Sequence, residues 1–591
     1  EFKPGVETMT PGLAMYIKEL CTENKVDVAV LGCYLNLCNP NPEKHKEIVE
    51  KYKAHIRFAS ILGCGVVGTE TGAVLTYVTL FWNSAIGLLY TPFLTSRLGQ
   101  NEYGLYSLVA SVVGSLTVLD FGFGNALIRY TAKLKARNEQ QKLKEMFGMF
   151  FLIFCFTAFV VLVAGAILYF NTDNLFHRSM NAEELHKIRL MMALMIFNLC
   201  FTFVMNVYRS VIVAYERFVF QKTINLIRII LNPVVMVIFL LYGYKAVTMV
   251  VLQTIFNVLT LCADYYYCKR KLHIQFVFAK FDFSFLKEVC LYSFWIFLNA
   301  IMDKIYWSLG QGVLGVYCGA KIVAVYGIAI QLQQMYMSFS TAISGVLLPK
   351  ITSMVAVGGQ DKAVSDLFIK TGRLQFIVMS FVLAGFTLFG RQFINIWVGD
   401  SYDEAYFICL LFFFPLLVPL IQNVGITILQ ARNQMRFRCV SYVIIAAVSL
   451  LCSLPLSQRY GASGCAVSTA AALLLGQGVV MNVYYKKYIR LDIAGFWKEI
   501  TKMSFAPLAV SVAAYFIIRQ CVIDSYSRLL IAIVLFSLIY IPVFWFASMN
   551  RYERDLFGGM VLKIFKHRKN VGNKFIPSLP CFWPACFGYH F

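Results

Sequence analysis

Residues 146–170 read MFGMFFLIFCFTAFVVLVAGAILYF, a run with no charge and no proline. A helix of that length reaches about 37 Å at 1.5 Å per residue, enough to cross a hydrocarbon core of about 30 Å. Lys144 and Glu145 precede the run and Asn171 follows it, so polar residues bracket the apolar stretch at both ends. The pattern predicts a transmembrane helix.

Similar runs recur outward from it. Spans are expected near 74–96, 104–125, 146–170, 190–213, 224–242, 247–267, 289–312, 322–346, 374–396, 405–429, 439–456, 462–484, 503–519 and 529–547. These make fourteen, with Pro507 and Pro542 inside the last two, which membrane helices tolerate. The whole chain fits this reading. Of its 591 residues 59% are hydrophobic and 14% charged, and mean hydropathy is +0.66. A soluble domain carries about 25% charged residues, so a soluble enzyme and a disordered chain are both excluded.

The net charge of +22 needs a location before it means anything. Lys and Arg gather in alternate loops, including 129–144, 269–287, 486–502 and 551–574, and thin out in the loops between. Positive loops stay in the cytoplasm, so both termini are expected there. A nucleic-acid reader would cluster its charge on one face; here the loops should lie against anionic lipid headgroups. The seventeen cysteines sit mostly inside apolar runs, as Cys155, Cys200, Cys262 and Cys409 do, where they act as small hydrophobes. No cysteine or histidine spacing suits zinc, so neither metal nor cofactor is expected.

Residues 1–72 differ. A helix is expected at Leu13–Glu23, a strand at Val26–Leu31, a helix at Glu43–Leu62 and a strand at Gly65–Val67, an α/β alternation. The stretches VDVAVLGCYLNLCNPNP (26–42) and YKAHIRFASILGCGVVGTETG (52–72) resemble the xylose-isomerase-like TIM-barrel sugar-phosphate isomerases and epimerases. Two strands do not close an eight-stranded barrel of roughly 250 residues. His55 and Glu70, acid/base or metal candidates in a whole barrel, therefore lack their companions, and the segment reads as a passenger from a gene fusion or recombination. The start at Glu1 suggests truncation upstream.

A displacement of about 220 residues sets Leu94 on Leu314, Gly99 on Gly319, Tyr106 on Tyr326 and Asn83 on Asp303, and a nearly equal one sets Ala214 on Ala431 and Phe220 on Phe437. An even number of spans separates the members of each pair, which predicts a parallel repeat. The expected architecture is an all-α polytopic membrane protein of two six-helix lobes plus two extra helices, preceded by a short α/β fragment. Its divisions are 1–72 for the fragment, 73–270 and 271–485 for the lobes, 486–550 for helices thirteen and fourteen, and 551–591 for a basic tail.

The run TPFLTSRLGQNEYGLYSLVASVVGSLTVLDFGFGNALIRYTAK (91–133), with its elements Leu98–Tyr106 and Leu119–Tyr130, resembles the polysaccharide-biosynthesis flippases of the Wzx type. So does YSFWIFLNAIMDKIYWSLGQGVLGVY (292–317). These belong to the multidrug/oligosaccharidyl-lipid/polysaccharide superfamily, and the similarity extends over about residues 74–560. The resemblance implies a transporter of the bacterial cytoplasmic membrane that flips undecaprenyl-pyrophosphate-linked oligosaccharide outward by alternating access. It implies no covalent chemistry. Membrane lipids, a polysaccharide polymerase and a chain-length regulator are the partners it suggests.

Ionisable groups inside spans are costly and mark function or pairing. Span seven carries the densest set: Asn299, Asp303, Lys304, Tyr306 and Gln311. Asn299 and Asp303 share a helix face, with Tyr306 three further on, and Lys304 lies about 100° round from Asp303. The functional reading has Lys304 on phosphate and Asp303 coupling to an ion; the alternative is a structural ion pair. Asn83 lies at the matching place in span one. Arg228 points a cation into the cavity or snorkels to headgroups. Asp120 pairs with Arg129, joins ion coupling or packs. Gln331 and Gln334 offer amides to sugar hydroxyls or bond between helices. Tyr265, Tyr266, Tyr267 and Trp397, at span ends, read as an interfacial belt.

Rival readings are a lipid II flippase, a multidrug/toxic-compound extrusion antiporter, a membrane enzyme of polysaccharide assembly and an isomerase–transporter fusion. Antiporters usually stop at twelve spans, and an enzyme would want a long outer loop, whereas the longest here is about 171–189.

Overall fold

The computed structural model describes residues 10–23, 31–32, 42–63, 67–68, 71–137, 139–278, 283–345, 351, 354, 361–432, 434–521, 523–555 and 557. Twelve helices among them are long and apolar enough to cross a membrane. Two of these, Trp82–Lys135 and Arg436–Lys487, hold 54 and 52 residues, about 80 Å of helix each and too long for one crossing. Each is broken at a glycine: Gly99 has φ +76° and Gly461 φ +58°, left-handed values at which side chains are strained. Divided there, the twelve helices supply the fourteen expected crossings.

In chain order the first half holds α3 (Thr71–Ser115), α4 (Phe123–Ala136), α5 (Gln140–Phe170), α6 (Thr172–Phe176), α7 (Ala182–Ala214), α8 (Phe218–Leu241) and α9 (Ala246–Arg270). The second holds α10 (Phe283–Lys304), α11 (Gly310–Tyr317), α12 (Ala320–Gly345), α13 (Asp361–Val398), α14 (Glu404–Ile421), α15 (Asn423–Ala431), α16 (Arg436–Leu473) and α17 (Met481–Lys487). Two more helices follow, α18 (Ile493–Ile518) and α19 (Tyr526–Val543). Local chemistry sets several starts. Asn181 and Glu184 form a reciprocal capping box before α7, and the Asp492 carboxylate accepts from the Gly495 amide before α18.

The two halves repeat in backbone detail. Gly99 and Gly319 both have positive φ, as do Gly243 and Gly461, and so do His273 and Arg490; each pair is about 220 residues apart. Phe220 stacks on Tyr267 at 3.8 Å and Phe437 stacks on Tyr484 at 4.2 Å. The Leu272 amide donates to the Tyr267 carbonyl and the Ile489 amide to the Tyr484 carbonyl, so α9 and α17 end in the same way. Leu94 and Leu314 are both buried, and α7 and α15 end at Ala214 and Ala431.

Before α3 lie α1 (Pro11–Glu23) and α2 (Pro42–Leu62), packed through Ala14, Ala59 and Leu62. Leu31–Gly32 (β1) pairs in parallel with Val67–Gly68 (β2), a ladder too short to identify a sheet. Most of the expected strand residues, and Glu70, lie outside the described residues. His55 is buried and its Nδ1 meets the Lys51 carbonyl at 2.8 Å, a bond within its own helix.

Candidate functional site

Span seven is not one regular helix. After Lys304 the backbone widens into a π-helical turn, Ile305–Leu309, before α11 resumes. Such a turn leaves a carbonyl short of its usual partner. Ser111 Oγ, from α3, takes the Ser308 carbonyl at 2.6 Å. Of the predicted polar residues, Asn299, Asp303 and Lys304 precede this turn, Tyr306 lies within it and Gln311 follows it.

Asn299 is held at both ends of its amide. Its Nδ2 donates to the Trp295 carbonyl at 2.9 Å and meets Cys439 Sγ at 3.0 Å; its Oδ1 accepts from Arg438 Nη1 at 2.9 Å. Asp303 is exposed and Lys304 half-buried. Neither makes an ion pair within 4.0 Å among the described residues, although Asp303 lies within the electrostatic reach of both Lys304 and Arg438. Tyr306 is buried, and Gln311 Oε1 accepts from Ser107 Oγ at 3.3 Å.

Arg438 is the residue that sequence reasoning missed. It stands one position before the apolar run of span eleven and reads as a loop charge. The structure buries it to 7% exposure, with its guanidinium carbon 4.8 Å from the centre of the Tyr442 ring. Its Nε has no acceptor among the described residues.

Other predicted residues fall elsewhere. Gln331 Nε2 donates to Thr91 Oγ1 at 2.8 Å, tying α12 to α3, whereas Gln334 and Asn83 are exposed. Asp120 accepts from Asn206 Nδ2 at 3.1 Å, and of the alternatives weighed for it the structure shows this packing contact with α7. Arg228 Nη1 donates to Asn257 Oδ1 at 3.1 Å, and Asn257 Nδ2 reaches Asn198 Oδ1 at 2.8 Å and Thr202 Oγ1 at 2.7 Å. Arg228 therefore joins a network between α7, α8 and α9. Asn198, Thr202 and Asn257 of that network line a cavity of about 220 Å³ together with Gln253 and Thr254. Asn257, and Asp264 with its charged neighbour Arg209, were findable: both are polar groups inside an apolar run.

Trp397 corrects an expectation. It is 4% exposed and its Nε1 donates to the Leu88 carbonyl at 2.7 Å, so it seals α13 against α3 instead of lying in an interfacial belt. An indole N–H inside a packed seam needs an acceptor, and Leu88 supplies it. Tyr265 and Tyr266 are exposed; Tyr267 is committed to its stack with Phe220.

The halves meet closely at the end that carries Gly99, Gly319 and Gly399. There Gln100 Nε2 donates to the Ser401 carbonyl at 3.0 Å and Ser179 Oγ to the Gly315 carbonyl at 2.6 Å. At the opposite end the Tyr130 hydroxyl donates to Glu288 Oε1 at 3.0 Å. Among the described residues no group of three His, Cys, Asp or Glu side chains is arranged to hold a metal.

Residues 71–355, just under half of the chain, match the family described as polysaccharide biosynthesis protein. An uncharacterized membrane protein, EpsK, of Bacillus subtilis (strain 168) is 22% identical over 507 residues, covering 82% of this chain and 95% of its own. The lipid II flippase MurJ in an inward closed conformation superposes with a TM-score of 0.62 at 14% identity, over 80% of this chain and 99% of its own. An inward-facing multidrug resistance MATE family transporter of the MOP superfamily gives 0.56 at 12% identity, over 71% and 96%. The chain is a multi-pass helical membrane protein with the fold of MurJ and the MATE transporters, and its residues 71–355 match polysaccharide biosynthesis proteins.

Proposed function

We propose that the chain is a transporter that carries a lipid-linked oligosaccharide from the inner to the outer leaflet of the bacterial cytoplasmic membrane by alternating access. The observation that carries the reading is the conjunction of the family match over 71–355 with a cluster of charges inside the helical bundle, Asp303 with Lys304 and Arg438 near it, in which the Arg438 Nε has no acceptor among the described residues. Ionisable groups gathered within spanning helices are expensive and mark function, and a polar substrate head is a partner this cluster can take. The lobes are taken as 73–270 and 271–485, with 486–550 as added helices and 551–591 as a basic cytoplasmic tail. The cavity lies between the lobes and opens alternately to either side. Asn299, Tyr306, Gln311 and Gln331 line or brace its wall, Lys304 attracts phosphate, and Asp303 couples to an ion. Residues 1–72 are a passenger.

Lys304→Ala and Asp303→Asn should each abolish surface glycan in the native host at normal membrane protein levels. Unchanged surface polysaccharide in both variants would remove the assignment.

A further inference from the structure

Three arginines of this chain are locked in place, and comparing them isolates one. Arg373 presents its Nε and Nη2 edge to Glu553, at 2.6 and 2.9 Å. Arg391 presents the same edge to Asp403, at 2.7 and 2.8 Å. Arg438 is oriented as firmly, by Asn299 on Nη1 and Tyr442 beneath its plane, yet its Nε is buried and unmatched. The Nε that elsewhere grips a carboxylate oxygen has no acceptor among the described residues, while the rest of the guanidinium is held by Asn299 and Tyr442 and lies within the field of Asp303.

The placement makes the vacancy costly. Arg438 is the third residue of α16, whose 38-residue run begins at Arg436. A helix N-terminus carries a partial positive charge, so a buried cation there is opposed by the backbone as well as by desolvation. Both effects reverse in sign for an anion arriving at the same point. Lys304 stands five residues beyond Asn299 on α10, about 7–8 Å further along the axis. Asp303, exposed beside it, is the nearest carboxylate along α10.

We infer that Arg438 is the principal phosphate contact of the transported lipid, taking two oxygens of its diphosphate on the Nε and Nη2 edge while Lys304 meets the second phosphoryl group. The inference rests on the lipid-linked substrate proposed above and deepens it. Asn299 acts as a positioning residue, since it fixes the guanidinium plane. In the cytoplasm-in orientation α16 begins on the inner-leaflet side, the side from which a diphosphate would be presented. A phospholipid headgroup carries the same phosphate chemistry, so the test must separate the two sources.

The experiment uses the full chain in phosphatidylcholine nanodiscs with farnesyl diphosphate as the probe, binding being read by titration calorimetry and folding by thermal shift. Arg438→Gln should weaken binding by roughly tenfold or more. Arg438→Lys should keep the melting temperature yet recover little affinity, because an ammonium is a point charge without the fork. Asn299→Ala should weaken binding less than either. Wild-type affinity in Arg438→Gln or in Arg438→Lys overturns the inference and leaves the transporter reading standing. Loss of folding in both variants assigns Arg438 to packing and overturns it too. Displacement of the probe by phosphatidylglycerol added to the nanodiscs turns the site into a headgroup site and overturns the diphosphate assignment. Failure of the wild type to bind farnesyl diphosphate removes the proposed substrate along with the inference.

Discussion

The Arg373 guanidinium meets the Glu553 carboxylate edge to edge, both residues buried, with Glu499 Oε2 at 2.7 Å from the remaining Nη1. Three segments converge there: α13, α18 and the chain following α19. The two added helices are thereby fixed to the second half at one end. Removing one partner of a buried pair strands the other charge, at about 3–5 kcal/mol. Glu553→Ala should therefore lower the melting temperature in detergent markedly, and Glu499→Ala, whose side chain is 36% exposed, only slightly. Equal effects would contradict the geometry.

Gly104 and Gly99 make a second pair for measurement. A Cβ at Gly104 would overlap the Ala320 carbonyl, so α3 and α12 approach there only because the side chain is missing. Gly99 has open space around it but a φ of +76°. Gly104→Ala should cost about 1–3 kcal/mol through overpacking of the seam, and Gly99→Ala about 1 kcal/mol through backbone strain. Thermal denaturation of the two variants side by side checks the order.

Gln331 and Thr91 tie α12 to α3 across the two halves. Gln331→Leu removes the tie and leaves the Thr91 hydroxyl its bond to the Gly87 carbonyl at 2.7 Å. Amide hydrogen exchange over 85–100 should accelerate in this variant, with α5 and α7 unchanged as an internal control.

Asn257 accepts from Arg228 and donates to two residues of α7. Asn257→Leu would take this partner from the half-buried Arg228 Nη1 and Asn198 Oδ1, at about 1 kcal/mol each, while the Thr202 hydroxyl keeps its bond to the Asn198 carbonyl at 2.7 Å. Its melting temperature should fall further than that of Thr202→Ala, which removes one member at the rim.

The Arg391 guanidinium, by hydrogen bonding first and charge second, holds the Asp403 carboxyl below its ordinary value near 3.8. A depressed folded value means the unfolded chain takes up the proton first as pH falls. The pair thus contributes stability above about pH 4, and loses it as pH drops through the lower folded value. Melting temperatures scanned from pH 6 to pH 3 should decline in the acid range, and Arg391→Gln should shrink that decline. An identical acid slope in the variant would show that the pair is silent.

Particular residues show what could be read early. The run at 146–170 is apolar throughout and becomes α5 (Gln140–Phe170) in the structure. Gly99 and Gly319, matched from sequence spacing, share a left-handed backbone because both turn the chain back after an odd-numbered span. Span seven was legible as polar but not as broken, since its apolar run continues without a charge or proline through the π turn at Ile305–Leu309. Arg438 was legible only as positive charge. Trp397 looked like an interface residue because aromatic girdles and buried seams use the same side chain at the same helix ends.

Sequence alone determined the membrane as the solvent, the number of crossings and the parallel repeat. Each follows from length, apolarity and periodic matching, and these are properties of a chain read in one dimension. Tertiary structure alone decided which polar groups are partnered: Asn299 with Arg438, Asp120 with Asn206, Arg228 with Asn257, and Arg373 with Glu553. The reason is physical. The cost of burying a charge depends on what stands within hydrogen-bond reach, and residues 29 to 180 positions apart in the chain are brought together only by packing.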